Sequence, residues 1–543
     1  MFGKTRAERG LEWLEYGMLA SAKLRTPLSI TFAEVATHNH FVLDRGGKVF
    51  KQTAPVIKLP EGATDDDHLA LLGILNSSTA CFWLKQVCQG KGNRGGERST
   101  GRYAWEEYFQ FNASNIGDYP IPKEQSVELG RELDALARKL SKSAPRIIVA
   151  GTESPTASDL ESARTASDRI HARMIAAQEE LDWEVYRLYG LIDENLVYAQ
   201  NDLPELLLGE RAFEIALARA VQAGEEETAW FTRHGSSPVT DTPAHWPPAY
   251  HDLVQRRLEL IASNPSIRLL EKPEYKRRWV QESWEKRQER ALRAWLLGRL
   301  EDRRFWFDTQ GRPLPRSVAQ LADEVNRDAD MVSVLALWEG RPDVPVTQSL
   351  VRLLADQAVP YLAAYRYKDS GLRKRETWEE TWRLQRREDA GEKVGSIAVP
   401  LKYTSADFRK NSYWQARGKL DVPKERFILY PDAGRETDPT PLLGWAGWDH
   451  AQQSLALSLI IGDREKDGWG DERLIPLVAG LAELQPWVEQ WHGEVDASYG
   501  VSLAAFCAEQ LTARAAQVGK TLEELAAWRP APPTRGRRAR SPG

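Results

Sequence analysis

The segment TPLSITFAEVATHNHFVLDRGGKVF, residues 26–50, carries the clearest fold signal in the chain. Its first half alternates apolar and polar residues with the period of a β-strand. Residues 44–47, Asp-Arg-Gly-Gly, tolerate positive φ angles and lie between the apolar residues 41–43 and 49–50. The segment therefore predicts strands that begin near residue 29, with a β-hairpin across residues 44–47.

Helical patterns follow on the C-terminal side of this segment. Apolar residues at helical spacing predict helices over residues 68–75 and 79–87, and residues 76–78, Asn-Ser-Ser, are suited to end one helix and cap the next. Leucines in residues 129–140 and apolar residues in 170–188 repeat at the same spacing. We expect these last two helices to be long and to pack as an antiparallel pair.

The rest of the chain mixes helices with a few strands. Residues 183–300 are largely helical in pattern, with a Gly/Ser/Pro-rich linker at 232–248. Residues 302–528 add short strands, such as 396–403 and 427–430. The prediction is an α+β fold, predominantly helical, in which a mixed α/β domain precedes a helical hairpin and a mainly helical C-terminal extension with short strands.

Five divisions of the chain follow from these patterns. The last division is rich in proline and arginine and lacks apolar anchors, so we expect it to be disordered. The predicted domains are 1–128 (recognition), 129–200 (helical spacer pair), 201–310 (helical), 311–528 (C-terminal extension) and 529–543 (basic tail).

The composition excludes several classes of protein. With 543 residues, 42% of them hydrophobic and 28% charged, the chain is long enough for several globular cores. No apolar run reaches the length of a bilayer span or of a signal peptide, which predicts a cytoplasmic protein without membrane contact. The three cysteines form no close pair, so structural zinc and disulfides are not expected. The 20 tryptophans suit core anchors or stacking platforms.

The hairpin region carries the first group of candidate DNA contacts. Six side chains within fourteen residues supply donors for phosphates and groups that reach base edges. Asn39 and Arg45 are the best candidates for bidentate readout of adenine and guanine. A solvated strand edge with protective charge is an equally open reading for each residue, and two histidines without a third ligand make a poor metal site. The candidates are His38, Asn39, His40, Arg45, Lys48 and Lys51.

A glycine-rich basic segment at residues 89–102 supplies the second group. Its glycines let the backbone follow a phosphate chain, and its cations release counterions on binding. The alternative is a passive flexible insertion, and the segment is predicted to be a mobile loop. The candidate contacts are Lys91, Arg94, Arg98 and Arg102.

Two basic, aromatic segments occur farther along the chain. In residues 275–307 glutamates recur at helical spacings among the cations, which favours a salt-bridged amphipathic helix. Residues 402–419 set five Lys/Arg against one acid and include Lys402, Arg409 and Lys410. Their aromatics are suited either to stack on bases or to pack, so DNA contact and a domain interface both stay open.

Several segments resemble the PglX family of adenine-specific DNA methyltransferases from bacteriophage-defence (BREX) systems, a kind of restriction-modification enzyme. The first four resemble the target-recognition region, and part of this pattern is also similar to type I specificity subunits. The others resemble the helix that closes such a domain and the C-terminal extension of the type 2 BREX enzyme. These segments are 26–50, 54–60, 71–86, 115–122, 181–190, 365–378 and 402–420.

The chain departs from this family at the catalytic motifs. The family binds S-adenosylmethionine at a glycine turn after a strand and holds the flipped adenine with Asn-Pro-Pro-aromatic. Here Asn264-Pro265 is followed by Ser266, and residues 459–464 offer a single glycine after an apolar run. We therefore expect no cofactor in this chain, no activity of the chain alone, and S-adenosylmethionine in a missing catalytic part.

The resemblance implies a sequence-specific DNA-recognition portion of an adenine-specific methyltransferase. Its expected partners are double-stranded DNA and either a catalytic methyltransferase chain or other BREX proteins. Three alternatives remain: a protein-interaction scaffold of the defence complex, an intact methyltransferase with a divergent cofactor site, and a nonfunctional gene remnant.

Overall fold

The computed structural model describes residues 7–10, 27–92, 103–495 and 500–531. The described residues of 1–148 and 158–286 form one compact unit, and those of 149–157 and 287–543 form a second. The domain boundaries predicted from the sequence stay predictions, because the two units divide at other places. The fold is α+β and predominantly helical, which confirms the predicted class.

The first sheet of the first unit contains β1 (Ser29–Phe32), β3 (Phe41–Asp44) and β4 (Val56–Ile57), in the order β3-β1-β4; β2 (Val35–Ala36) lies in the β1–β3 connection. All pairings are antiparallel. The predicted hairpin across residues 44–47 is wrong. β3 pairs with the preceding strand β1, and residues 49–50 form no strand. That register places Phe41 opposite Phe32 and Leu43 opposite Ile30, so all four apolar side chains are buried in one core.

The turn residues themselves behave as predicted. Gly46 and Gly47 have φ values of 102° and 81°, a region that side chains with a Cβ rarely adopt. They direct the chain away from the sheet rather than into a second strand.

The second sheet has the order β2-β6-β5, with β5 at Gln89–Gly92 and β6 at Tyr108–Gln110. The start of the predicted mobile loop is therefore a strand, paired antiparallel to β6 with an irregularity between Gly90 and Gly92. The remainder of that loop, residues 93–102, lies outside the described residues.

Two helices follow the first sheet as predicted: α1 (Asp65–Leu75) and α2 (Ser78–Val87). The side chain of Ser77 accepts a hydrogen bond from the Ala80 amide and caps α2. Helix α1 packs closely on a later helix, α4 (Glu128–Lys142). At their contact, a Cβ at Gly130 would lie 2.4 Å from the Leu69 carbonyl oxygen. This contact requires glycine.

In the first unit, the long helix α6 (Ala157–Leu188) shares a buried core with residues from the 192–279 stretch. Both predicted long helices exist, as α4 and α6, and the Arg173 Nε atom donates to Glu132 Oε1 between them. The helices that follow α2 are α3 (Ala113–Gly117), α4 (Glu128–Lys142), α5 (Pro145–Ala150), α6 (Ala157–Leu188), α7 (Ala212–Gln222), α8 (Trp230–His234), α9 (Pro248–Ser263), α10 (Pro265–Leu270) and α11 (Trp284–Leu300).

The second unit is built on a small mixed sheet in the order β7-β10-β9-β8, in which β8 and β9 are parallel. The strand predicted at 427–430 is confirmed as β9. The strand predicted at 396–403 is wrong; these residues are irregular, with Val399 and Leu401 facing solvent. The strands are β7 (Arg316–Ser317), β8 (Ala358–Pro360), β9 (Phe427–Leu429) and β10 (Leu442–Trp445).

Helices enclose this sheet. They are α12 (Val318–Val325), α13 (Ala329–Glu339), α14 (Val346–Leu354), α15 (Ala363–Arg366), α16 (Asp369–Asp389), α17 (Asn411–Arg417), α18 (His450–Lys466), α19 (Asp471–Trp491), α20 (Leu503–Gln517) and α21 (Leu522–Ala526). Short 3₁₀ helices occupy Ala7–Arg9, Ala104–Glu106, Arg303–Phe305, Ser405–Asp407 and Gly418–Leu420.

The described residues contain neither a helix suited to span a membrane nor a group of side chains arranged to bind a metal ion. No helix there combines the length and the apolar character that crossing a bilayer requires. No group of three or more His, Cys, Asp or Glu side chains in those residues is arranged to hold a metal ion.

Candidate nucleic-acid interface

Two loops of the first unit meet at the histidines singled out in the sequence. One loop joins β2 to β3, and the other follows α10. From the second loop, Arg277 donates from Nη2 to His40 Nε2 at 3.0 Å and from Nη1 to Asn76 Oδ1 at 3.2 Å. The neighbouring Arg278 donates from Nη1 to Thr37 Oγ1. Arginine side chains therefore join the two loops directly.

A lysine from α2 completes the group. The ammonium of the buried Lys85 donates to the Glu274 carbonyl oxygen at 2.7 Å. It also lies 5.1 Å from the centre of the Phe109 ring. Three separate segments thus contribute basic side chains to one place. We call this group the basic cluster: His38, His40, Lys85, Arg277 and Arg278.

Burial and mutual repulsion shift the pKa values of the basic cluster downward. Loss of hydration lowers the pKa of Arg277 and of Arg278 to about 10, so both guanidinium groups remain charged at neutral pH. Loss of hydration to the surrounding protein and the adjacent Arg277 lower the pKa of His40 to about 4, although part of the side chain remains exposed to solvent. The pKa of His38 is also lowered well below its usual range. Both imidazoles are therefore neutral at pH 7, as acceptance of a hydrogen bond by His40 requires.

Arg278 is the least satisfied cation of the basic cluster. Its Nε and Nη2 atoms have no hydrogen-bond partner among the described residues, although they are shielded from solvent. The Trp105 ring lies 5.6 Å from the guanidinium carbon. Cys81, and to a lesser degree Glu106 and Tyr108, favour the charged form of Arg278 but do not restore its usual pKa. Unpaired, partly desolvated guanidinium donors are suited to a phosphate oxygen.

A buried ion network fixes the loop that carries the two arginines. The Lys276 ammonium lies 2.9 Å from Asp182 Oδ2 and 2.7 Å from Glu271 Oε1. Asp182 also accepts hydrogen bonds from the backbone and side chain of Ser78, and Tyr186 donates to Glu271 at 2.6 Å. Burial opposes the charge on Lys276, but the two carboxylates raise its pKa. The anchor immediately precedes Arg277 in the chain and restricts where that side chain lies.

Two of the predicted base-reading residues are committed to the fold. Asn39 is buried, and its side-chain nitrogen donates to the carbonyl oxygens of Leu75 and Ser77 at 2.7 and 3.1 Å. Arg45 forms a two-point contact with Asp134, at 3.1 and 2.9 Å. Neither side chain offers a free edge to a base in this conformation, so both act on the structure of the hairpin region.

The remaining candidates of the first unit are surface lysines or lie outside the described residues. Lys48, Lys51 and Lys91 are exposed. Arg94, Arg98 and Arg102 fall in the part of the chain that the structure does not describe, so their contribution stays a prediction.

The sequence did not single out Arg277 and Arg278 because they were assigned to a salt-bridged helix. That prediction is wrong for residues 277–283, which have no regular structure, and α11 begins at Trp284. A signal was present: residues 276–278 are three consecutive cations shortly after Pro273, and no acid occurs among them or in residues 279–281. Adjacent residues on a helix point in different directions, so glutamates on one face do not pair with all three.

The candidates of the second unit lie in a different environment. Lys402, Arg409 and Lys410 are exposed, but the neighbouring aromatics Tyr403 and Phe408 are buried in a core cluster. The aromatic side chains therefore pack against the protein. The single acid of this segment, Asp407, is held by Lys374 at 2.7 Å and by other donors, which lower its pKa to about 2 despite burial.

The two weak matches to catalytic motifs have structural roles in this chain. Asn264 caps α10 by accepting hydrogen bonds from the amides of Ser266 and Ile267. Gly462 lies inside α18 and not at a turn after a strand.

Comparison with known proteins identifies the family. A protein of Streptomyces coelicolor described as "Adenine-specific methyltransferase PglX" is 47% identical over 99% of this chain, which confirms the resemblance stated above. The alignment covers 45% of that relative, so the chain spans less than half of its length. No solved structure matches the chain. A family profile described as "Domain of unknown function (DUF7008)" matches residues 174–539. The chain belongs to this family, Domain of unknown function (DUF7008).

Proposed function

We propose that the first unit binds duplex DNA and serves as the recognition portion of an adenine-specific DNA methyltransferase of a BREX defence system. The observation that carries the proposal is the basic cluster, in which two charged arginines lie side by side and Arg278 keeps two donors without a partner among the described residues. The similarity to a methyltransferase supplies the substrate class.

Phosphate binding is the chemistry that this arrangement supports best. Half or more of protein–DNA hydrogen bonds go to the sugar-phosphate backbone, and arginine offers several donors in one plane. The chain carries a formal net charge of −5, so binding depends on this local concentration of positive charge. The exposed Lys48, Lys51 and Lys91 are proposed as additional phosphate contacts in the same unit.

Methyl transfer itself is assigned to another part of the enzyme. The chain spans 45% of its methyltransferase relative, and we propose that it corresponds to the C-terminal part. S-adenosylmethionine and the Asn-Pro-Pro-aromatic motif would then belong to the catalytic part, on the same or a companion chain. The other proposed partners are BREX proteins, and the proposed location is the cytoplasm.

The direct experiment measures binding of a fluorescently labelled duplex to the full chain at increasing salt. Each phosphate contact contributes about 1 to the slope of log affinity against log salt. The double variant Arg277→Ala/Arg278→Ala is expected to bind at least about tenfold more weakly at low salt and to lose about 2 from that slope.

A matched control separates the basic cluster from general charge. Arg169 belongs to the same unit, is 74% exposed and pairs with Glu205 at the surface. Its substitution, Arg169→Ala, removes one positive charge and is expected to change the slope by much less than 1. Absence of duplex binding by the wild-type chain at low salt, or an equal effect of the control, would remove the proposal.

A second experiment addresses catalysis. Incubation of the chain with duplex DNA and tritiated S-adenosylmethionine is expected to give no incorporation of label. Incorporation above a no-protein control would show that the chain is an intact methyltransferase with a divergent cofactor site.

A further inference from the structure

A second site is present in the second unit, on one face of α16. Arg375, Trp378, Glu379 and Trp382 have the spacing i, i+3, i+4 and i+7, so they share that face of the helix. They line a cleft of about 430 Å³, whose size falls within the range of small-molecule sites. The cleft is completed by residues of β8, β9, α18, α19 and the segment after α17.

Aromatic rings form much of the wall of this cleft. Trp382 is 51% exposed and Trp487 is 39% exposed, so each presents a large apolar ring to solvent. Burial of such rings against a flat ligand is favourable, because it removes apolar surface from water. We call this site the aromatic cleft, and its rings belong to Tyr361, Trp378, Trp382, Tyr403 and Trp487.

The charged groups of the aromatic cleft form ion pairs with one another. Glu483 lies 3.3 Å from Arg366 and 2.9 Å from Arg375. Arg375 also pairs with Glu379, at 2.8 Å. On the opposite side, Arg417 pairs with both Asp421 and Glu425. Every arginine and every carboxylate of the wall is therefore paired, and because four carboxylates share three arginines, the wall disfavours a phosphate or a carboxylate as ligand.

Four donors in the wall have no hydrogen-bond partner among the described residues. These groups are Tyr361 Oη, Arg366 Nε, Trp378 Nε1 and Arg417 Nε. A buried donor without a partner is destabilising, and a ligand with acceptor atoms offsets that cost. The four atoms are shielded from solvent, so wall side chains must rotate before a ligand reaches them.

We propose that the aromatic cleft binds a nucleobase. The ligand must be flat to stack on the tryptophans, uncharged to suit the paired wall, and rich in ring-nitrogen or carbonyl acceptors to reach the donors. A nucleobase meets all three requirements, and aromatic stacking holds bases in proteins that bind single strands. The base comes either from a free nucleoside or from an unpaired nucleotide of DNA.

The test uses the full chain with two probes, adenosine and a short single-stranded oligodeoxyadenylate. Saturation-transfer NMR follows the base protons of each probe as its concentration increases. Saturable transfer to the base protons of either probe is expected, and the tighter probe identifies the source of the base. Absence of saturable binding by both probes would overturn the proposal.

Variants and a competitor locate the binding. Trp382→Ala and Trp487→Ala are each expected to weaken binding about tenfold, the magnitude of one base–aromatic stacking contact. Trp491→Ala is the matched control, because Trp491 is 63% exposed on α19 but does not line the cleft. Equal effects of all three variants, or displacement of the probe by tetramethylammonium chloride, would contradict the proposal.

This inference does not depend on the proposed DNA binding by the first unit. The double variant Arg277→Ala/Arg278→Ala is expected to leave nucleoside binding unchanged. The two proposals therefore fail separately.

Discussion

The two basic, aromatic segments of the sequence, within residues 275–307 and 402–419, differ in how the fold uses them. In residues 276–278 of the first unit, the buried Lys276 forms ion pairs with Asp182 and Glu271. Arg278, two residues later, has two donor atoms without a hydrogen-bond partner among the described residues. Residues 402–410 of the second unit are held by a lysine of another segment, Lys374 of α16. Its ammonium donates to the Lys402 carbonyl oxygen and pairs with Asp407. A high density of cations in the sequence therefore does not identify a binding surface; the partners supplied by distant segments do.

The largest expected difference between the two segments concerns their anchors. Lys276→Met leaves Asp182 and Glu271 buried without their cation, and we expect a loss of about 3–5 kcal/mol in the free energy of unfolding. Lys374→Met is expected to cost about 1 kcal/mol, because Lys374 is partly exposed and Asp407 keeps its bonds to Ser370 and Thr404.

Urea-induced unfolding followed by tryptophan fluorescence measures both anchor variants. Equal losses of stability would contradict the expected difference between Lys276 and Lys374.

The next effect separates structural from DNA-contacting residues within one loop. Asn39→Ala removes a buried amide that satisfies two carbonyl groups, and we expect a loss of about 1–3 kcal/mol in unfolding free energy. The slope of DNA affinity against salt should not change. A fall in that slope by about 1, measured with the same labelled duplex, would place Asn39 on the DNA.

Lowering the pH is expected to reduce the free energy of unfolding and to increase the affinity for DNA. His38 and His40 have lowered pKa values in the folded chain, about 4 for His40, so the unfolded chain binds more protons between about pH 4 and pH 6.5. Stability is therefore lost as the pH falls through this window. A bound phosphate favours the protonated imidazoles, so DNA affinity should rise several-fold from pH 7.5 to 5.5.

His40→Gln tests the origin of this pH dependence, because glutamine retains a polar side chain but does not titrate. The variant is expected to weaken both trends, as measured by thermal unfolding and by duplex titration at constant ionic strength. A DNA affinity that falls in acid would contradict the proposed phosphate near His40.

The smallest expected effect belongs to the second segment. Arg409 donates to the Tyr367 carbonyl oxygen, and Lys410 lies near the Tyr413 ring. Arg409→Ala/Lys410→Ala is therefore expected to change duplex affinity by less than about threefold, because both side chains already have contacts within the second unit. A loss comparable to that of Arg277→Ala/Arg278→Ala would assign DNA contact to both segments.

Local signals in the sequence predicted the local structure well. The capping residues at Asn76 and Ser77, the helical repeats of α4 and α6, and the positive-φ glycines at 46 and 47 are all observed. Strand pairing was predicted less well, because the partner of β3 is set by a core that also includes helices. Alternation in residues 41–43 shows that a strand is present, but does not identify its neighbour.

The candidate site was harder to predict for the same reason. The sequence named His38 and His40 as candidate DNA contacts, but it did not predict that Arg277, more than two hundred residues away, contacts His40. Asn39 has the side chain that reads adenine, yet its neighbours in space are two carbonyl groups of the fold. Spacing in the sequence does not report such long-range partners.

The most direct test of the central claim is a photocrosslink from the basic cluster to DNA. His40 is exposed and touches Arg277, so a photoreactive benzoylphenylalanine at position 40 reports contact without removing an arginine. The account predicts crosslinking to a labelled duplex from position 40, lost at high salt, and little from the same group at position 169. Equal yields from the two positions, or no crosslink from position 40 under conditions in which the duplex binds, would contradict it.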